Sequence, residues 1–129
     1  MMTPDLKLLL WSVVLTFVEV VVAVLAANQQ VGLGPLAGNR ESLPRLTDFA
    51  GRAKRAHQNM MESLPLFIAL VLIAQIAGKT SATTLLGAQL FFWGRLAHWI
   101  IYLIGIPWLR TLAWVVSVIG MVLIFLELV

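Results

Sequence analysis

The sequence predicts an all-α membrane protein, a four-transmembrane-helix bundle in up-down order, and three observations carry that prediction. First, 60% of the 129 residues are hydrophobic and 12% charged, with mean hydropathy +0.94. A soluble domain of this size could not hide so much apolar surface. Second, apolar stretches of helical length recur between Gly-, Pro- and Ser/Thr-containing breaks. Third, the few charges are clustered: five of the nine basic residues, Arg40, Arg45, Arg52, Lys54 and Arg55, sit in one connection and the helix start after it. The whole chain, 1–129, reads as a single transmembrane domain. Disulfides, thiolate metal sites and a cysteine nucleophile are excluded, because there is no cysteine.

The first helix is expected at about residues 6–27. Its apolar run Leu8–Ala27 carries one charge, Glu19. The run is too long for a signal-peptide core, and Asp5 and Lys7 do not make a basic leader, so it reads as a span. Glu19 lies near its middle, where an ionisable group is costly. A structural pairing with an arginine of the bundle such as Arg95 accounts for it; a role at a site is the other reading.

Asn28–Asp48 holds Gly32, Gly34, Pro35, Gly38 and Pro44 and reads as a connection, long enough to act as a cover. Thr47 or Asp48 suits the N-cap of the second helix, expected at about 49–78. Its apolar part, Leu64–Ala77, is 14 residues, about 21 Å of helix against a hydrocarbon core of roughly 30 Å. Part of the polar run 52–62 must therefore lie at membrane depth. Pro65 should bend the helix where polar gives way to apolar. Thr80 or Ser81 can cap the third helix, 82–104, whose Gly87 and Gly94 share a face and would admit a close neighbour. Gly105 and Pro107 end it, and the fourth helix follows at about 108–128.

With four spans both termini share a side with Lys7 and Lys79. The other side has Arg40, Arg45, Arg52, Lys54, Arg55 and Arg110. The positive-inside rule then places the 1–2 and 3–4 loops in the cytoplasm. The expected setting is multi-pass in a bacterial inner membrane.

On the second helix Arg52, Arg55, Asn59 and Glu62 fall within an arc of roughly 80°, while Lys54 and His57 point elsewhere. On the third, Arg95, His98, Trp99 and Tyr102 recur at i, i+3, i+4 and i+7, one face. Up-down order brings these two faces and Arg110 to the same end. Arginines suit carboxylates, a glutamate suits an ammonium, and an asparagine serves an amide. The set fits a small zwitterionic peptide with surplus negative charge. It fits equally a charge network that snorkels to headgroups and neutralises itself, Arg55 with Glu62 for instance. For Arg110 the bland reading is a headgroup anchor between Trp108 and Trp114. No metal is expected, since His57 and His98 lack partners at ligand spacing. No nucleotide fingerprint, nucleophile elbow or nucleic-acid module is present, so nucleic acid is not an expected partner.

Arg52-x-x-Arg55-Ala-x-x-Asn59-x-x-Glu62-x-x-Pro65-Leu-Phe resembles the signature of the MAPEG family, membrane-associated proteins in eicosanoid and glutathione metabolism. Arg95-Leu, Tyr102 and Gly105-Ile-Pro107-Trp-Leu-Arg110 are similar to that family's third-helix region. The resemblance implies a homotrimer of four-helix subunits with glutathione, as co-substrate, bound between neighbours near the cytoplasmic face. It implies Arg55, Asn59 and Glu62 as glutathione contacts, Arg52 one turn earlier, Tyr102 against the peptide, and Arg110 as the stabiliser of the thiolate. His98 shares the third-helix face and is counted with the binding residues. Five positions depart from the pattern: His57 stands where a glutamine is found, Ser63 and His98 where tyrosines are, and Gln29-Gln30 where arginines end the first helix.

The expected function is a membrane glutathione-dependent transferase or peroxidase-like enzyme, with Arg110 and Tyr102 catalytic and a lipophilic electrophile arriving from the lipid. The alternative is a non-catalytic member that binds lipid or a partner protein. The acceptor is not legible in the residues.

Overall fold

The structure, a computed structural model, describes residues 2–38 and 46–129. Every regular element among them is helical. Arg40, Arg45 and Pro44, part of the connection and of the charge bias above, lie outside the described residues.

Helix α1 spans Pro4–Val31 and starts earlier than the apolar run alone suggests. Thr3 is its N-cap and accepts the Leu6 N–H, Pro4 opens the first turn, and Asp5 complements the helix dipole. The helix also ends later, at Gly32 with φ 86°. Its last turn is held from outside. The Gln30 amide donates to the carbonyl and hydroxyl of Thr47 at 3.2 and 3.1 Å, and its oxygen accepts the Thr47 N–H at 3.0 Å.

A short helix α2, Leu33–Ala37, occupies part of what the sequence leaves as a connection. Leu36 and Leu46 pack there against Ala26, Ala27 and Ala50. Helix α3, Asp48–Ile76, follows Thr47 as N-cap and runs continuously through Pro65. Helix α4 covers Ala82–Ile104 as expected. Ser81 is its cap in a reciprocal box: its hydroxyl accepts the Thr83 and Thr84 N–H groups, and the Thr84 hydroxyl accepts the Ser81 N–H. Helix α5 is Pro107–Leu128 with the proline in its first turn.

Contacts at the helix ends show that consecutive long helices run antiparallel. The Thr3 hydroxyl donates to the Gln75 amide oxygen at 2.9 Å, joining the start of α1 to the end of α3. Arg52 near the start of α3 reaches Leu103 at the end of α4. Lys79, in the α3–α4 turn, donates to the Leu128 carbonyl at the end of α5.

The interior is an aromatic and aliphatic cluster. Phe67 and Phe91 stack at 3.9 Å between centroids, among Met60, Leu64, Val71, Ala88 and Ile124. Helices α4 and α5 meet through small residues, as Gly87 and Gly94 predict. A Cβ on Gly94 would lie 3.0 Å from the Ser117 nitrogen, and one on Gly87 would strike the Gly120 carbonyl. Such contact, backbone against backbone, is what associates helices where no water drives them together.

Three helices, α1, α3 and α5, are long and apolar enough to cross a membrane. Helix α4 is 23 residues long but carries Gln89, Arg95 and His98 and falls outside that set. Large apolar side chains point outward along α1 (Trp11, Phe17, Val21, Leu25) and α5 (Trp108, Leu112, Ile119, Phe125). In water such surfaces would drive aggregation; in lipid they are the solvated face.

Candidate functional site

The site is built at the corner where α4 ends and α5 begins. Gly105 takes the left-handed conformation, φ 95° and ψ 31°, which closes α4. The Gly105 and Ile106 N–H groups both donate to the Ile101 carbonyl. Pro107 then starts α5, and Arg110 lies in its first turn. The corner folds Arg110 back over Tyr102, with its guanidinium carbon 4.2 Å from the ring centroid, within cation–π range. His98, one turn before Tyr102, meets the same ring edge-on at 5.4 Å.

Asn59 on α3, His98 and Tyr102 on α4, and Arg110, Thr111 and Trp114 on α5 line a cavity of about 210 Å³. The Asn59 Oδ1 and His98 Nδ1 atoms are buried without a hydrogen-bond partner among the described residues. Buried polar atoms of this kind are costly to leave unpaired, and the residues that line the cavity offer a guest an amide, an imidazole and a guanidinium. Thr111 is the lining residue that sequence reasoning missed. Its one signal is a hydroxyl beside Arg110 in a largely apolar helix, and that hydroxyl donates to the Pro107 carbonyl.

The other candidates lie around this cavity, not in its wall. Arg52 Nε donates to the Leu103 carbonyl at 3.0 Å, and its guanidinium packs on Gly105. Arg55 and Glu62 are exposed on α3. They form no ion pair with each other, so a self-neutralising Arg55–Glu62 network is not what the structure contains. Ser63 is buried and donates to the Met60 carbonyl at 3.2 Å, away from the cavity. Lys54 and His57 do point elsewhere: with Gln58 they edge a second cavity of about 330 Å³ whose remaining wall is apolar, from Val20, Ala23, Val24, Ala27, Leu36 and Leu46.

Deeper in, Glu19 and Arg95 are each about 1% exposed. They interact electrostatically, and Glu62 adds to the field at Arg95. Both Glu19 oxygens and all three Arg95 nitrogens nevertheless have no hydrogen-bond partner among the described residues. The expected pairing is thus electrostatic, without direct contact.

Antiparallel apolar helices, lipid-facing surfaces and a polar cavity at one end define an integral membrane protein of the all-α class. Residues 8–129 match the model of the MAPEG family, nearly the whole chain, and the chain belongs to that family. Among curated proteins and solved structures, none matches it.

Proposed function

We propose that this protein is a glutathione-dependent transferase or peroxidase-like enzyme, with four membrane spans and three subunits, whose cavity at the α4–α5 corner activates the glutathione thiol. The observation that carries the reading is Arg110 lying over Tyr102 in the wall of a cavity that Asn59 also lines. In this reading Asn59 and His98 bind the peptide amides, and Arg55 and Glu62 on the neighbouring exposed face take its carboxylate and ammonium. A second subunit covers that face. The site end carries Arg52, Lys54, Arg55 and Arg110, against Lys7 and Lys79 at the other, so the site end is cytoplasmic.

A free thiol titrates near pH 8.5, and lowering that by about two units requires roughly 2.7 kcal/mol of differential stabilisation. A guanidinium about 4 Å away at an effective dielectric constant near 20 supplies about 4 kcal/mol. Arg110, oriented by Tyr102, is thus a charge of the size the shift requires. The thiol proton leaves through the polar end of the site. The thiolate sulfur then bonds to the electrophilic carbon of a lipophilic acceptor, whose leaving group departs with the bonding pair.

The test is calorimetric titration of the detergent-solubilised protein with glutathione and with S-methylglutathione. Saturable binding of both, weakened about tenfold or more in Asn59→Ala through loss of a buried hydrogen-bond partner, supports the site. No saturable binding of either would sink the proposal. Ser63 and His98, standing where the family pattern has tyrosines, favour a second reading, a member that binds lipid or a partner protein without catalysis. Binding of glutathione with no thiolate formed would mark it.

A further inference from the structure

Helix α4 ends with a cation missing. The last carbonyls of a helix have no intrahelical partner and form the negative pole of its dipole, so a basic residue in the last turn is the usual remedy. The last turn of α4 contains none. Of its final carbonyls, Ile101 accepts the Gly105 and Ile106 N–H groups. The Leu103 carbonyl accepts Arg52 Nε at 3.0 Å, from a residue 51 positions away on α3. The same side chain lies along the left-handed corner, with its Cδ and Nε 3.6 Å from where a Cβ on Gly105 would be. Arg52 thus supplies the missing positive charge and spans the gap between α3 and the corner.

From this geometry we infer that Arg52 is a positioning residue and not a ligand contact: it clamps the end of α4 and thereby holds Arg110 over Tyr102. Leu103 and Arg110 are separated by one left-handed glycine and one proline-led turn. A shift of the α4 terminus is therefore passed to Arg110 with little slack. Asn59 stands on α3 as Arg52 does, so the clamp also fixes the separation of the two walls of the cavity. This inference rests on the glutathione reading only where thiolate is the readout; the clamp itself is testable without ligand.

The experiment combines amide hydrogen exchange on the ligand-free protein in detergent with a glutathione titration followed by thiolate absorbance. Arg52→Ala is expected to speed exchange at Gly105 and Ile106 about tenfold or more, as loss of a hydrogen bond with a charged donor implies. Thiolate absorbance at saturating glutathione should fall, while the half-saturating concentration changes by less than about threefold, because the charge that reaches the ligand is another one. Arg52→Lys keeps a cation at the helix end and should restore much of the exchange protection. Gly105→Ala strains the left-handed corner while removing no charge, its added methyl resting against Arg52 at ordinary contact distance, and should reproduce the thiolate loss. Unchanged exchange at the corner in Arg52→Ala, with glutathione affinity lost about tenfold or more, would overturn the clamp and make Arg52 a ligand contact. Should Arg52→Ala fail to fold, an Arg52→Lys protein without recovered protection at Gly105 and Ile106 refutes the clamp. If wild-type protein forms no thiolate, the glutathione reading fails, and the exchange result still decides the role of Arg52.

Discussion

The α4–α5 contact predicts a graded response to a single added methyl group. A Cβ on Gly120 would collide with the Gly87 carbonyl and lie 2.8 Å from the Phe91 nitrogen and 3.1 Å from the Leu90 Cβ. Most of these neighbours are backbone, so no side chain can rotate away and the helices themselves must separate. Overpacking of this kind costs about 1–3 kcal/mol, and Gly120→Ala belongs at the upper end of that range. On Gly94 the nearest atoms are the Ser117 nitrogen at 3.0 Å and the Ala113 carbonyl oxygen at 3.1 Å. A few tenths of an ångström relieve that contact, so Gly94→Ala belongs at the lower end. Gly34 in α2 has nothing within 4 Å of its added Cβ, and alanine there should be neutral or stabilising by about 0.5–1 kcal/mol. Thermal unfolding in one detergent should therefore rank Gly34→Ala at or above wild type, then Gly94→Ala, then Gly120→Ala. The spacing is about 4 °C for each kcal/mol in a chain of this size. Equal midpoints for all three variants, or Gly120→Ala at wild-type stability, would refute the close approach. Because α5 carries Arg110, Gly120→Ala should also lower thiolate formation.

Three further outcomes follow from the structure. Removing Arg95 (Arg95→Met) leaves the buried Glu19 without its compensating charge and should lower the unfolding midpoint, whereas Glu19→Gln with Arg95→Met together should cost clearly less than the sum; a thermal-unfolding cycle reads the coupling. Gln30→Ala removes three exposed hydrogen bonds to Thr47 and should speed exchange of the Thr47 amide with little change in the unfolding midpoint. Ser81→Ala breaks the capping box of α4 and should cost about 1 kcal/mol, with Ser81→Asp close to neutral in the same unfolding assay.

What the sequence made legible is what local rules and the bilayer decide. The limits of α4 follow from Ser81 and Gly105, and the close approach of a neighbouring helix from Gly87 and Gly94, though not that the neighbour is α5. The convergence of Asn59, His98, Tyr102 and Arg110 follows from helical period and antiparallel order. What was hidden depends on distant or backbone partners. Gln30 shows its role only once Thr47 is beside it, 17 residues on. Arg52 looks like a ligand residue on a helical wheel, because the wheel gives its direction but not the Leu103 carbonyl it meets. Helix α2 is five residues long among glycines and a proline, too short for any apolar period to reveal. The wheel likewise groups Arg55 and Glu62 with Asn59, yet they stay on the exposed side of α3 while Asn59 turns into the cavity.

The central claim is that Arg110, held over Tyr102 at the α4–α5 corner, stabilises the thiolate of bound glutathione. The most direct measurement follows ultraviolet thiolate absorbance as the purified protein in detergent is titrated with glutathione near neutral pH. Saturable thiolate formation in wild type that disappears in Arg110→Ala, with glutathione still bound, is the predicted result. Thiolate that persists undiminished in Arg110→Ala, or binding in wild type with no thiolate at all, would contradict it.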